Sequence, residues 1–258
     1  FRGNYGRSVR APNVTETAGA LTPNFAPGFQ DPCRAANIGS GSQFRAANCQ
    51  SDLGGLLNTA DFANQTAYSL AVLSGSNPNL KAEKSDSWTY GMVFEPKIIR
   101  NLSISIDYFN IRVNGVITAA SAQQIANSCY DLATLNNPFC GLFTRYRGPG
   151  TGSLGEAPGQ ILSNSLIQAP LNYASLSRRG IDAQVNYRAN ITQDVKFSTS
   201  VVYNHNFKSS NYTNPQDPSF ENVLLEELGN PKDEFVFDAD VTVGAVTFGY
   251  RGRFISPM

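Results

Sequence analysis

The sequence predicts an all-β fold, an antiparallel up-and-down transmembrane β-barrel with long extracellular loops and short periplasmic turns. Three observations predict it. Stretches that alternate apolar and polar residues recur along the chain. The connections between them run long, short, long, short. No run of about 18 apolar residues occurs, so no spanning helix is predicted. Period-two alternation places successive side chains on opposite faces of a strand. The cleanest case sets Ile181, Ala183, Val185 and Tyr187 against Asp182, Gln184, Asn186 and Arg188. In a soluble β-protein the polar face meets water and the apolar face fills a core. In an outer-membrane barrel the apolar faces meet lipid and the polar faces line a wet lumen.

The elements follow in order. Phe1 to Arg10 alternates and reads as a strand. Residues 11–80 are rich in Pro, Gly, Asn and Ser with no strong period, although Leu53 to Leu73 fits a short helix; connections of this length are functional or disordered. Ser85 to Glu95 is a strand with Trp88, Tyr90, Met92 and Phe94 on one face. After a turn, Leu102, Ile104, Ile106 and Tyr108 continue as the next strand. The apolar phase slips at Phe109, which predicts a bulge there or a strand leaving the membrane band. A second long loop, 115–160, has a helical stretch at Ser121 to Tyr130 and a Gly/Pro-rich stretch at 148–159. Ile161 to Ala169 is a candidate strand. Ser177 to Arg188 and Val195 to Lys208 form a pair, the second with Val195, Phe197, Val201, Tyr203 and Phe207 on one face. A third loop, 209–232, precedes a pair carrying Phe235, Phe237, Ala239 and Val241, then Val246, Phe248, Tyr250 and Phe254. Trimmed turns at one rim and elaborated loops at the other are the pattern of an outer-membrane barrel.

Composition agrees. Of the 258 residues, 41% are apolar and only 16% charged, with zero net charge; about 25% charged is usual. Nothing in this balance attracts nucleic acid. Both ends read as cut, since Phe1 opens in mid-strand and Met258 closes just after one; the chain is expected to be a piece of a longer polypeptide. The four cysteines, Cys33, Cys49, Cys129 and Cys140, allow three pairings that spacing alone does not separate. Local pairing, Cys33 with Cys49 and Cys129 with Cys140, is the preferred one, and it implies an oxidising compartment. A metal site is a poor alternative, because there is no C-x-x-C and the single histidine, His205, is distant.

Several segments then resemble one family. Phe1-Arg2-Gly3-Asn4-Tyr5-Gly6-Arg7-Ser8-Val9-Arg10-Ala11-Pro12-Asn13 is similar to the "Y-S-x-A-x-R-A-P-N" strand end of TonB-dependent outer-membrane receptors. Asn77-Pro78-Asn79-Leu80-Lys81-Ala82-Glu83-Lys84-Ser85 resembles their "NPNLKPEKS" segment, with Ala82 where proline is usual. Ser103 to Ile111 resembles the following "SxDYYxI" strand, and Arg179-Gly180-Ile181-Asp182 the "xGxD/E" strand start. The resemblance implies a single-chain barrel of about 22 strands with an N-terminal plug. This chain would be the C-terminal part of that barrel, residues 1–258, with the plug outside it. The implied role is import of a scarce nutrient (an iron-siderophore, cobalamin, a carbohydrate or a peptide) across the outer membrane of a Gram-negative bacterium. The implied partners are outer-membrane lipid, the nutrient at the extracellular loops, and TonB through the missing N-terminal region.

On this reading Trp88, Tyr90, Met92, Phe94, Ile181, Val185, Tyr187, Phe197, Phe235, Phe237 and Phe248 face lipid. Asp182, Gln184, Asn186, Arg188, Asp238, Asp240, Arg251 and Arg253 face the lumen. Ser177-Arg178-Arg179 with Arg251 and Arg253 form either a basic lumen stripe or, as favoured, partners for lumen acids such as Asp182, Asp238 and Asp240. His205 reads as an interfacial residue. No catalytic motif, cofactor site or metal site is predicted. The competing function is a secreted or outer-membrane β-domain for binding or adhesion; an extracellular hydrolase ranks last.

Overall fold

A computed structural model describes residues 1–258. In chain order the elements are β1 (Arg2–Arg10), α1 (Val14–Ala18), β2 (Thr22–Phe29), α2 (Arg45–Leu53), α3 (Ala60–Ala63), β3 (Tyr68–Ser74), β4 (Glu83–Phe94), β5 (Leu102–Ala119), α4 (Ala122–Asp131), β6 (Ile167–Gln168), β7 (Pro170–Asn190), β8 (Val195–Tyr212), β9 (Asn222–Val223), β10 (Asp233–Val243) and β11 (Val246–Ile255). No helix is long and apolar enough to cross a membrane. One antiparallel sheet runs β1-β4-β5-β7-β8-β10-β11, with β9 paired to the end of β8. It is an open arc of a barrel. Its short hairpins, 95–101, 191–194 and 244–245, lie at one end; every long connection lies at the other.

Register fixes which side chains share a face. Tyr5 opposes Trp88, Tyr90 opposes Tyr108, and Tyr108 opposes Ile181. Val185 opposes Val201, Val201 opposes Phe237, and Val241 opposes Phe248. All eleven residues expected on the apolar face therefore stand on one continuous surface. None of Trp88, Phe197 and Phe237 is packed into a dry interior; Trp88 is 44% exposed and Phe248 is 69% exposed. Aromatic rings pair across the ladder instead, with Phe235 and Phe254 stacked at 5.1 Å and Tyr5 and Trp88 at 4.5 Å. Contiguous apolar surface of this extent on a sheet marks a contact with lipid or protein.

Two expectations about the strands are corrected. No bulge occurs at Phe109: β5 pairs without a shift from Leu102 to Asn114, and the irregularity comes at Gly115, whose φ of +67° suits a bulge glycine. Phe109 turns to the polar face because Gly180 opposite it leaves room; a Cβ on Gly180 would lie 2.6 Å from the Phe109 ring and 2.5 Å from the His205 carbonyl oxygen. A register shift does occur on β8, where Arg179 pairs with Lys208 and Gly180 with Asn206. Phe207 is thus extra, and Lys208 returns to the face of Arg179. The second loop is shifted rather than shortened, to 120–169 in place of 115–160, and the third is shorter than expected, 213–232, since β5 and β8 run further than their periodicity announced.

The long loops are not structureless. They fold into a cap with an 18-residue buried core that includes Phe29, Phe62, Leu70, Ile125, Tyr130 and Ile161. Burying each such side chain contributes about 1.5–3 kcal/mol. The stretch Leu53–Leu73 is not one helix. Helix α2 ends there, at Gly54 with φ of +52°, after lining up Arg45, Cys49 and Leu53 on one buried stripe. A 3-10 turn and α3 follow, and then β3 alternates with Leu70 and Val72 inward. β3 pairs antiparallel with β2 and parallel with β6. Of Ile161–Ala169, only Ile167–Gln168 forms a strand. The helix expected at Ser121–Tyr130 is α4, started by a capping box of Ser121 and Gln124.

Candidate ligand-contact surface on the loop cap

Two disulfides pin the cap, Cys33 to Cys49 and Cys129 to Cys140. Between them lies a polar hub drawn from four loop segments. Asp31 follows β2, and its Oδ1 accepts from the Cys33 N–H at 2.9 Å in an Asx turn. Arg145, held by an isolated bridge to Ile161, donates to Asp31 through Nη1 (2.6 Å) and Nη2 (3.0 Å). Its Nε donates to the Tyr130 hydroxyl at 2.6 Å, and that hydroxyl donates to Asp52 at 2.6 Å. The guanidinium also lies 5.1 Å from the centre of the Tyr130 ring. Arg145 and Asp31 are fully buried, so the planar fork and its paired carboxylate must satisfy each other. A second buried pair joins Arg45 Nε to Asp131 at 2.7 Å, tying α2 to α4.

The hub is electrostatically stiff. Burial would lower the Arg145 pKa, but Asp31 and the Tyr130 hydroxyl outweigh it, and the net displacement is upward. Burial pushes the Tyr130 and Tyr68 phenols up, so both stay neutral. Burial would also raise the Glu156 carboxyl, but the backbone N–H groups around it, including Leu154 at 3.0 Å and Ser163 at 3.1 Å, hold it below the usual range. Two clefts open on this scaffold. One of about 340 Å³ is lined by polar groups such as Gln30, Asn37, Ser40, Arg45 and Asn127. The other, about 420 Å³, lies beside the hub against Tyr130, Phe143, Arg147 and the Cys129–Cys140 bridge. Such surfaces offer amide and guanidinium hydrogen bonds, the chemistry of binding. No group of three or more His, Cys, Asp and Glu side chains gathers in a metal-holding arrangement.

The polar-face candidates are placed together on the other side of the sheet. Arg251 donates to Asp238 opposite it, and Arg253 Nε donates to Glu234 at 2.7 Å. Arg2 Nε reaches Asp107 at 2.8 Å, and Asn204 donates to Asp182 at 2.7 Å. Gln184 reaches Asn186 at 3.4 Å, whereas Arg188 and Asp240 make no side-chain hydrogen bond. The basic stripe does not form. Arg178 and Arg179 point to opposite faces, Arg178 reaches Asn230 at 3.0 Å, and Arg251 and Arg253 are neutralised three strands away. His205 Nδ1 lies 2.6 Å from Asp233 on the aromatic face. Sequence reasoning missed Asp31, Asp52, Tyr130 and Arg145. They sit in aperiodic loops, and Asp31 and Arg145 are 114 residues apart.

The chain matches the family described as TonB dependent receptor-like, beta-barrel, over residues 1–255. No curated protein matches it. Similar solved structures include the siderophore receptor PirA from Acinetobacter baumannii, at 12% identity over 99% of this chain and 27% of that one, TM-score 0.47. The ferric enterobactin receptor PfeA from Pseudomonas aeruginosa is similar at 12% identity over 98% and 25%, TM-score 0.48. The Serratia marcescens hemophore receptor HasR, solved with its hemophore HasA and heme, is similar at 16% identity over 98% and 29%, TM-score 0.44. The chain thus spans between a quarter and a third of those chains. From residue 1 to residue 255 the match is to one barrel, and the chain belongs to the TonB-dependent receptor family.

Proposed function

We propose that this chain is the C-terminal part of one outer-membrane barrel, in a Gram-negative bacterium, that imports a scarce nutrient. Iron-siderophores, heme, cobalamin, carbohydrates and peptides are the candidate cargoes. The work is binding and transport rather than catalysis. The aromatic face meets lipid, the polar face lines the lumen, and the loop cap contacts the nutrient outside the cell. Energy reaches the barrel from TonB through a region outside this chain. Family membership supports this reading, and one observation carries it. The apolar side chains of all seven strands share one exposed surface, with the Arg7–Asp86 pair toward its long-loop end, while pairs such as Arg251–Asp238 and Arg253–Glu234 lie on the other. That is the inversion a membrane barrel requires.

The test is a pair of substitutions on one strand of the full-length receptor. Phe237→Arg sits mid-strand on the aromatic face and is expected to cost about 2–4 kcal/mol in the bilayer. Its outer-membrane level and heat-modifiable band should fall. Asp238→Asn, its neighbour on the polar face, should insert normally. Normal insertion of Phe237→Arg would overturn the reading.

A further inference from the structure

The polar cleft of about 340 Å³ on the cap offers a ligand hydrogen bonds but no charge. Arg45 is the one charged side chain in its lining, and Asp131 neutralises it, accepting from its Nε at 2.7 Å. The backbone at Gly41 packs so closely on this pair that a Cβ there would collide with both side chains. Apart from the Pro32 ring, no apolar side chain lines the walls.

The free polar groups of the cleft are held in place. On the loop after β2, Asn37 donates through Nδ2 to the Asp31 carbonyl oxygen at 2.9 Å, and its Oδ1 has no protein donor. On α4, Asn127 accepts through Oδ1 from Gln123 Nε2 at 3.0 Å, and its Nδ2 has no protein acceptor. Gln123 is itself clamped. It accepts from the Gln30 N–H at 2.9 Å and donates to the Gln30 carbonyl oxygen at 2.8 Å. The exposed Gln30 side chain makes no bond within the protein and adds an amide that both donates and accepts. The Cys33–Cys49 bridge ties the Asn37 loop to α2, and Arg45–Asp131 ties α2 to α4. A fixed acceptor and a fixed donor therefore stand in one braced site, where binding orders few additional groups.

This set selects a ligand by chemistry. A hydroxyl can donate to the Asn37 oxygen and accept from the Asn127 amide, because it carries both functions. A saccharide presents several hydroxyls without net charge. An anion finds no free cation here, and a peptide side chain finds no apolar wall. The volume falls at the small end of ligand sites, about 300–1,000 Å³, and suits one end of a short sugar chain. We propose that this cleft binds an uncharged saccharide through its hydroxyls, with Asn37, Asn127 and Gln30 making the contacts. The proposal rests on the reading that the cap contacts the nutrient, and it narrows that nutrient to a neutral sugar. The Phe237→Arg insertion assay tests the barrel reading by itself, so failure of the experiment below in a receptor that inserts removes only the sugar site.

The experiment is isothermal titration of the full-length receptor with maltose, cellobiose and lactose, in a polyoxyethylene detergent that carries no sugar headgroup. At least one disaccharide should bind saturably. Asn127→Leu should weaken that binding about tenfold. Asn127→Asp should stay within about threefold of the original protein, because a hydroxyl can reverse its direction and donate to the carboxylate. Gln30→Ala should weaken binding about threefold and, since it breaks no bond within the protein, decides the matter if Asn127→Leu disturbs α4. Absence of saturable binding by all three sugars would overturn the proposal. So would unchanged binding in Gln30→Ala and a folded Asn127→Leu. An equal loss in Asn127→Asp and Asn127→Leu would overturn it by marking a ligand that only accepts. Tighter binding of triglycine than of every sugar would overturn it in favour of a peptide.

Discussion

In the loop cap, Phe29, Phe62, Tyr130 and Ile161 are hidden from solvent; in the sheet, Trp88, Tyr250 and Phe248 stand roughly half exposed or more. The charges are distributed in the opposite sense. The cap buries Arg145–Asp31 and Arg45–Asp131 inside its core, whereas the sheet keeps Arg251–Asp238 and Arg253–Glu234 on an open face. The cap is built as small extracytoplasmic domains are, with a modest dry core, satisfied buried ions and disulfide staples. The sheet gains cohesion from its ladders and leaves its apolar side chains for another medium. One chain thus carries two ways of placing apolar and charged side chains, one in its cap and one in its sheet.

That contrast can be broken most directly at the hub. Arg145→Met leaves Asp31 charged and unpaired in the core and should cost the cap about 3–5 kcal/mol. Limited proteolysis should then cut the cap while the heat-modifiable barrel band stays unchanged. Adding Asp31→Leu should restore much of the loss, because an apolar pair can replace a buried ion pair. Equal loss of barrel and cap would show that the two are one cooperative unit.

Removing a staple comes next. Cys129→Ser/Cys140→Ser should destabilise the cap by about 2–4 kcal/mol. Hydrogen exchange should accelerate in α4 and around the hub, with β7 and β8 below the cap unaffected. Spread of that change into the membrane-length stretch 181–189 would contradict the division.

The smallest effect is a pH dependence confined to the cap. Hydrogen bonds hold the Glu156 carboxyl below its usual range in the folded state, so its unfolded pKa, near 4.3, is the higher of the two. Its contribution is therefore complete above that unfolded value and fades as the pH falls through the lower folded one. Glu156→Gln should flatten the acid limb of cap stability, followed by exchange rates between about pH 6 and 3. An unchanged acid limb would remove Glu156 from the account.

The strands were legible because period two survives in a single sequence. Each predicted face, from Trp88 on β4 to Phe248 on β11, coincides with a face set by register. Where the pattern misled, a local backbone feature had intervened. Phe109 signalled a bulge that instead falls at Gly115, because the missing side chain of Gly180 lets an aromatic ring fit the polar face. The cap was nearly illegible. Its segments pair over distances such as Asp31 to Arg145 and Leu73 to Ile167, and loop residues of mixed polarity carry no period that announces a distant partner.

By itself, then, the sequence determined the strands, their two faces and the rim on which the long connections gather, since those follow from side-chain alternation and turn chemistry along a local stretch of backbone. Only the tertiary structure decided that the loops close into a cored cap, and which cysteines and ions staple it. Those outcomes depend on contacts between residues far apart in the chain, where register and packing, rather than local preference, choose the neighbours.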